Sequence, residues 1–179
     1  MDKIILGLLI LKNRTIYEIR TKFANNLDLM YSSSTGSIQA ALKKLLSQGH
    51  IACTECEENC KHKKIYEITD SGREEFSRWV NSSFDGTQNK SPELAKLYFM
   101  GLSDKKLRAE RVQGLIDYLE KTNMTLTLLY NEGLSLSPTE QYRDLFNYQF
   151  MTVKFGRDYT AFQLEWFRQL LSDMESGKI

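Results

Sequence analysis

The sequence predicts a mostly α-helical protein broken once by a small β-hairpin, and three observations carry that expectation. Apolar residues recur at steps of three and four over residues 3–48 and again from residue 93 onward. Between these regions, "HIACTEC" and "KKIYEIT" are two short β-prone runs separated by the polar "EENCKH". The segment "SSFDGTQNKSP", Ser82 to Pro92, has the Gly, Asn, Ser and Pro content of a linker. Domains are therefore expected at 1–82 and 93–179, joined by residues 83–92.

The chain has 179 residues, 41% of them hydrophobic and 11% aromatic, enough for one or two modest cores. Its first apolar run, "IILGLLIL" from Ile4 to Leu11, reads as a buried helix over residues 3–12. That run is far shorter than the roughly 20 residues needed to cross a bilayer, and no small-residue cleavage site follows it. A cytoplasmic protein with no membrane partner is expected. Thr15 can cap a second helix that carries Ile16, Ile19 and Phe23 inward.

After the irregular "NNLDLMYSSS", a third helix is expected from about Thr35 to Gln48, stopped by Gly49. Ile38, Ala41, Leu42 and Leu45 fall on one face of it; Gly36, Ala40, Lys43 and Ser47 fall opposite, with Gln39 and Lys44 at the flanks. At its start, Ser32, Ser33, Ser34, Thr35 and Ser37 offer hydroxyls and unpaired backbone N–H groups suited to phosphate oxygens. The small outward face permits close approach to a duplex groove. His50, next to Gly49, reads as a helix-end cation.

Three helices followed by a hairpin is the order of a winged helix-turn-helix, in which the third helix enters the major groove and the hairpin reaches the flanking backbone. "TDSGREEFSRWVNSS" begins a further helix with Trp79 expected in the core. Beyond the linker come a short helix over 93–100 and a long one from 104 to about 130, striped by Leu107, Val112, Leu115, Leu119, Leu126 and Leu129. Past "NEGLSLSP", another runs from 139 to about 175. The last two form an α-helical antiparallel hairpin, expected to be a dimerisation domain. Phe155, Tyr159, Phe162, Trp166, Leu170 and Met174 recur along the last helix at steps of three or four, with Phe146, Phe150 and Phe167 off that line. One neighbouring helix cannot cover so wide an apolar surface, so a homodimer interface is expected through Phe155, Tyr159, Phe162, Trp166 and Leu170. Trp166 is also a candidate to line an effector cavity.

Charge and chemistry narrow the function classes. The formal net charge is +1, and residues 1–82 hold twelve basic against ten acidic side chains, so the global field does not announce a nucleic-acid binder. Three cysteines, an odd number, suit a reducing compartment. Cys53, Cys56, Cys60 and His62 lie within ten residues and form a candidate metal or thiol site. A strand would point Cys53 and Cys56 to opposite faces, so no metal is assigned. No cofactor is expected. Neither histidine sits in a nucleophile, base and orienter pattern, and no GxSxG or phosphate-cradling loop occurs, so the chain is not read as an enzyme. The competing class is a module whose winged domain docks a protein, because Glu55, Glu57 and Glu58 make the first hairpin arm acidic.

"ILGLLIL", "TIYEI", "STGSIQAALKKLLSQGHI", a basic hairpin, "IYEITDSGREEFSRWV" and a helical C-terminal part together resemble the PadR family of transcriptional regulators. The larger type is meant, with a C-terminal domain similar to that of virulence activators. Gln39 stands where the family commonly has tyrosine, and "NCKHKK" replaces the usual arginine-rich hairpin tip. The resemblance implies a homodimer on a roughly palindromic operator, with half-sites about one helical turn, roughly 10 bp, apart. It also implies a repressor tuned by a small aromatic effector. By the same resemblance Ser34, Thr35, Ser37, Gln39 and Lys43 would face DNA, with Lys61, Lys63 and Lys64 in the wing.

Overall fold

The computed structural model describes residues 1–24, 34–58, 61–83 and 92–179, without the side chains of residues 56–58, 61–62 and 92. Ser32, Ser33, Cys60 and most of the expected 83–92 linker thus lie outside the described residues, as do the side chains of Cys56, Lys61 and His62. Internal packing divides the chain into two units, Met1–Gln88 and Asn89–Ile179. Among the described residues, no helix is long and apolar enough to cross a membrane.

In the first unit, helix α1 (Asp2–Leu11) is apolar almost all round because it packs on three elements at once: α3 (Thr35–Ser47), α4 (Asp70–Val80) and strand β3 (Lys61–Ile68). Ile5 and Leu6 are fully buried, and the surrounding core takes Ile19, Phe23, Ile38, Leu42, Leu45 and Ile51. Thr15 does two jobs. It belongs to a two-residue strand β1 (Arg14–Thr15), pairing with Ile65, and it caps α2 (Ile16–Lys22). The cap is reciprocal: Glu18 N donates to Thr15 Oγ1 at 3.2 Å, and Thr15 N donates to Glu18 Oε2 at 2.8 Å. The backbone hydrogen bond from Thr15 holds the Glu18 carboxyl below its ordinary value of 4.5.

The expected hairpin is therefore a three-stranded antiparallel sheet, ordered β1-β3-β2, with β2 spanning Ile51–Glu58. Two residues carry no periodicity, so β1 is invisible to pattern reading. The strands also run further than expected, leaving only residues 59–60 between them where "EENCKH" was expected as the tip. The register accounts for this, since it sets Glu58 opposite Lys61 and Glu55 opposite Lys64.

Helix α3 ends as the sequence predicts. Gly49 adopts φ 70°, and His50 N donates to Leu45 O at 3.0 Å. Thr69 then ties this end to α4: its N–H donates to His50 O at 3.1 Å, its hydroxyl donates to Gly49 O at 2.7 Å, and its Oγ1 accepts from Gly72 N at 3.1 Å. A Cβ on Gly72 would fall 2.0 Å from His50 O and 2.8 Å from Ile68 Cγ1, so only glycine fits there. Two expectations are corrected here. The Trp79 ring is 46% exposed rather than in the core, because Phe76, one turn earlier, packs against the core and Trp79 only leans on it at 5.6 Å. His50 Nδ1 lies 3.0 Å from Ser71 Oγ at the start of α4, so its ring is directed there rather than at the α3 carbonyls.

In the second unit, α5 (Pro92–Tyr98) and a 3₁₀ turn (Met100–Leu102) lead into α6 (Lys105–Leu134) and α7 (Glu140–Glu175). With 30 and 36 residues, these helices run about 45 and 54 Å at 1.5 Å per residue. Val112, Ile116, Leu119, Leu164 and Phe167 form their shared core. Leu107 and Leu129 of the expected α6 stripe are exposed, and Ile116 takes an inner position instead. Helix α6 continues past Tyr130 into the segment expected as loop; the Tyr130 ring stacks on Phe150 of α7 at 4.9 Å and anchors these last turns.

Helix α7 carries two apolar seams. Phe146, Phe150, Val153, Arg157, Thr160, Leu164, Phe167, Leu171 and Met174 follow one another at alternating steps of four and three, and all are buried or half-buried. Phe155, Tyr159, Phe162 and Trp166 make a second line at the same steps, and all four are exposed, Phe155 by 70%. Leu170 and Met174, expected to extend that outer line, instead pack against the α6–α7 core. The reason is angular: at roughly 100° per residue, successive steps of four walk a line around the helix.

Two outcomes test this reading in urea melts of the full chain. Thr15→Ala is expected to lower stability by about 1 kcal/mol. Because the Glu18 carboxyl titrates below 4.5 in the folded state, its stabilisation is present above that pH and lost as pH falls through the folded value. The gap between wild type and Thr15→Ala therefore narrows in acid. Gly72→Ala is expected to destabilise strongly, with unfolding near room temperature.

Candidate nucleic-acid interface

Helix α3 presents Gly36, Gln39, Ala40, Lys43 and Ser47 to solvent, with Ile38, Ala41, Leu42 and Leu45 buried behind them. Ser34 caps it, its Oγ accepting from Ser37 N at 3.1 Å. The Ser37 hydroxyl donates to Ser34 O at 2.8 Å. The proton of Ser37 is thus engaged within the turn, whereas the exposed Ser34 and Thr35 hydroxyls at this end can still donate to an outside oxygen. Lys44, at the flank, is held by Asp2 at 2.6 Å.

The outer face of α3 does not stand alone. Gln39 and Lys43 line one open groove of about 1110 Å³ together with Lys63 and Lys64 of β3 and with Lys12, Tyr17 and Glu18 from the first turns of the chain. Four lysines against one glutamate face this groove, in a chain whose net charge is only +1. Tyr17 is 73% exposed at the start of α2 and lines the groove. Sequence reading passed over Tyr17 and Lys12; the signal available was the inward triad Ile16, Ile19 and Phe23, which leaves Tyr17 on the opposite side.

In the wing, Lys63 and Lys64 follow one another on β3, and both line the groove. Lys64 is paired with Glu55 at 3.0 Å, both side chains 61% exposed. The hydrogen bond and charge of Glu55 raise the Lys64 pKa and keep its ammonium protonated. An exposed pair of this kind adds little stability. It nonetheless sets a carboxylate in competition with any phosphate that approaches Lys64. Cys53 is a free thiol packed beside the first core, on the residue opposite Tyr66.

In the second unit, Trp166 stands edge-on to Phe167 at 5.0 Å. A pocket of about 290 Å³ lies one to two turns further along α7, around Leu170 and Met174.

A helix with a small, basic outward face, a β-wing at its flank and a groove of lysines between them define a winged-helix DNA-binding protein. Residues 5–78 match the transcriptional regulator PadR-like family. Members of that family regulate transcription by binding DNA, not by catalysis. No curated protein sequence matches the chain. Among solved structures, smu.1604c from Streptococcus mutans UA159 shares 26% identity at a TM-score of 0.77, over 96% of this chain and 98% of that one. Bacillus subtilis PadR in complex with operator DNA shares 21% at 0.75, over 97% and 98%. The same protein has also been solved in complex with p-coumaric acid, with 20% identity and a TM-score of 0.72 over 97% and 98%. The Vibrio cholerae virulence activator AphA shares 17% at 0.73, over 98% of each chain. The fold of these regulators thus extends through the helical second unit.

Because Glu55 occupies Lys64, Glu55→Gln is expected to tighten DNA binding and to steepen the log–log salt dependence by up to about 0.9, the share of one phosphate contact. Fluorescence anisotropy on a duplex at several salt concentrations measures both.

Proposed function

We propose that the protein is a repressor that binds a palindromic operator as a homodimer, its affinity tuned by a small aromatic effector. The observation that carries this reading is the lysine groove: Lys12, Lys43, Lys63 and Lys64 concentrate on one concave face the positive charge that the chain as a whole lacks. Gln39 stands in the same groove, and its amide matches the N6 and N7 edge of adenine in the major groove. Ser34 and Thr35 bind phosphate at the start of α3, Ser37 supports the turn, and Lys61, Lys63 and Lys64 follow the flanking backbone.

The outer seam of α7 supports the dimer. Phe155, Tyr159, Phe162 and Trp166 repeat with the spacing that suits a partner helix, and in one chain they face solvent. The operator complex and the p-coumaric acid complex of Bacillus subtilis PadR support DNA and a small effector as partners. The protein-docking reading loses ground because Glu55, part of the acidic arm that suggested it, is paired with Lys64.

Selection on randomised half-sites tests the readout. Gln39→Ala is expected to relax preference at one base pair per half-site, at a cost of roughly 1–3 kcal/mol there, whereas Ser34→Ala and Thr35→Ala weaken all sequences alike. Identical base preferences for wild type and Gln39→Ala remove Gln39 from base reading. For the dimer, sedimentation at micromolar concentration is expected to show a single dimeric species that Phe162→Glu converts to monomer.

A further inference from the structure

The second unit holds a half-open pocket of about 290 Å³ that DNA binding does not use. Leu97, Met100, Leu170 and Met174 form apolar walls without an aromatic ring among them. Three charged side chains reach the same space: Lys105, Arg108 and Glu175. The guanidinium of Arg108 is fixed by Nη2, which donates to Gly101 O at 2.7 Å and to Ser103 O at 2.9 Å. Its Nε is buried and has no hydrogen-bond partner among the described residues. Buried as it is, that Nε stays out of a ligand's reach, and what Arg108 brings to the pocket is its positive charge.

The sign of that ligand follows from the groups present. The pocket lies between the first turn of α6 and the last turn of α7, so the helix ends bring partial charges of opposite sign that largely offset. Side chains then decide, and two cations face one carboxylate. We propose that this pocket binds a small apolar carboxylate. Its hydrocarbon part lies against Leu97, Met100, Leu170 and Met174, and its carboxylate sits between Lys105 and Arg108. The site is separate from the aromatic effector proposed above; it rests on the regulator function only for what the binding controls.

Calorimetric titration of the full chain without DNA, using octanoate and its neutral counterpart octanamide, tests the pocket. Octanoate is expected to bind one site per chain and octanamide much more weakly. Lys105→Gln, at an exposed position, weakens octanoate by up to about fivefold, Glu175→Gln tightens it, and Ala109→Trp, which fills the pocket, abolishes it while helix content is unchanged. No octanoate binding, equal binding of octanamide, or binding indifferent to both Lys105→Gln and Ala109→Trp overturns the proposal. DNA retention measured on the wild-type chain separates the two readings: octanoate binding without DNA retention counts against the regulator, and DNA retention without octanoate binding counts against the pocket.

Discussion

Three hydrogen bonds on Thr69 join the end of α3, the close of β3 and the start of α4. Through them the carbonyls of Gly49 and His50, which terminate the outward-facing helix, are fastened to the root of the wing. The angle between helix and hairpin is thereby set by short-range bonds rather than by loop length. Gly72 is what lets α4 come close enough for the knot to close, and α1 fills the space beneath it. Everything the groove can do depends on this junction, since Gln39 and Lys43 lie on one side of it and Lys63 and Lys64 on the other.

Much of this was legible in the sequence, and the reasons are specific. Ile38, Ala41, Leu42 and Leu45 repeat over enough turns to fix both faces of α3, and Gly49 marks its end. The Thr15 cap was readable because serine- and threonine-led caps are local chemistry. Strand β1 was not, because two residues carry no period and the pairing of Thr15 with Ile65 spans fifty positions of chain. The groove was hidden for a related reason. Lys12, Tyr17, Lys43 and Lys63 are scattered in sequence and meet only through the fold, so a charge count of residues 1–82 came out nearly neutral.

Helix α7 shows how a correct observation can be grouped incorrectly. Its aromatic residues were visible as a wide apolar surface, yet the line drawn from Phe155 to Met174 crosses from the outer seam to the inner one. Burial separates them: Thr160, Leu164 and Phe167 face α6, and Phe155 and Phe162 do not. Arg157 belongs to the inner seam as well, its guanidinium 3.9 Å above the Tyr130 ring and its charge matched by Asp158 at 2.6 Å. A cation can occupy a seam position when it has both an aromatic face and a carboxylate to meet.

The Glu55–Lys64 pair bears on how a regulator finds its site in a crowded genome. Contacts to phosphate are the same on every sequence, and a genome offers about 10⁶–10⁹ competing stretches of DNA. A lysine already occupied by a neighbouring carboxylate adds little to each transient, poorly seated encounter. If the outward-facing helix reads bases as proposed, a chain of net charge +1 with such a pair in its wing dwells briefly on random DNA and leaves discrimination to that helix. Fewer copies are then sequestered away from the cognate site, and a smaller cellular supply of the protein suffices to keep that site filled.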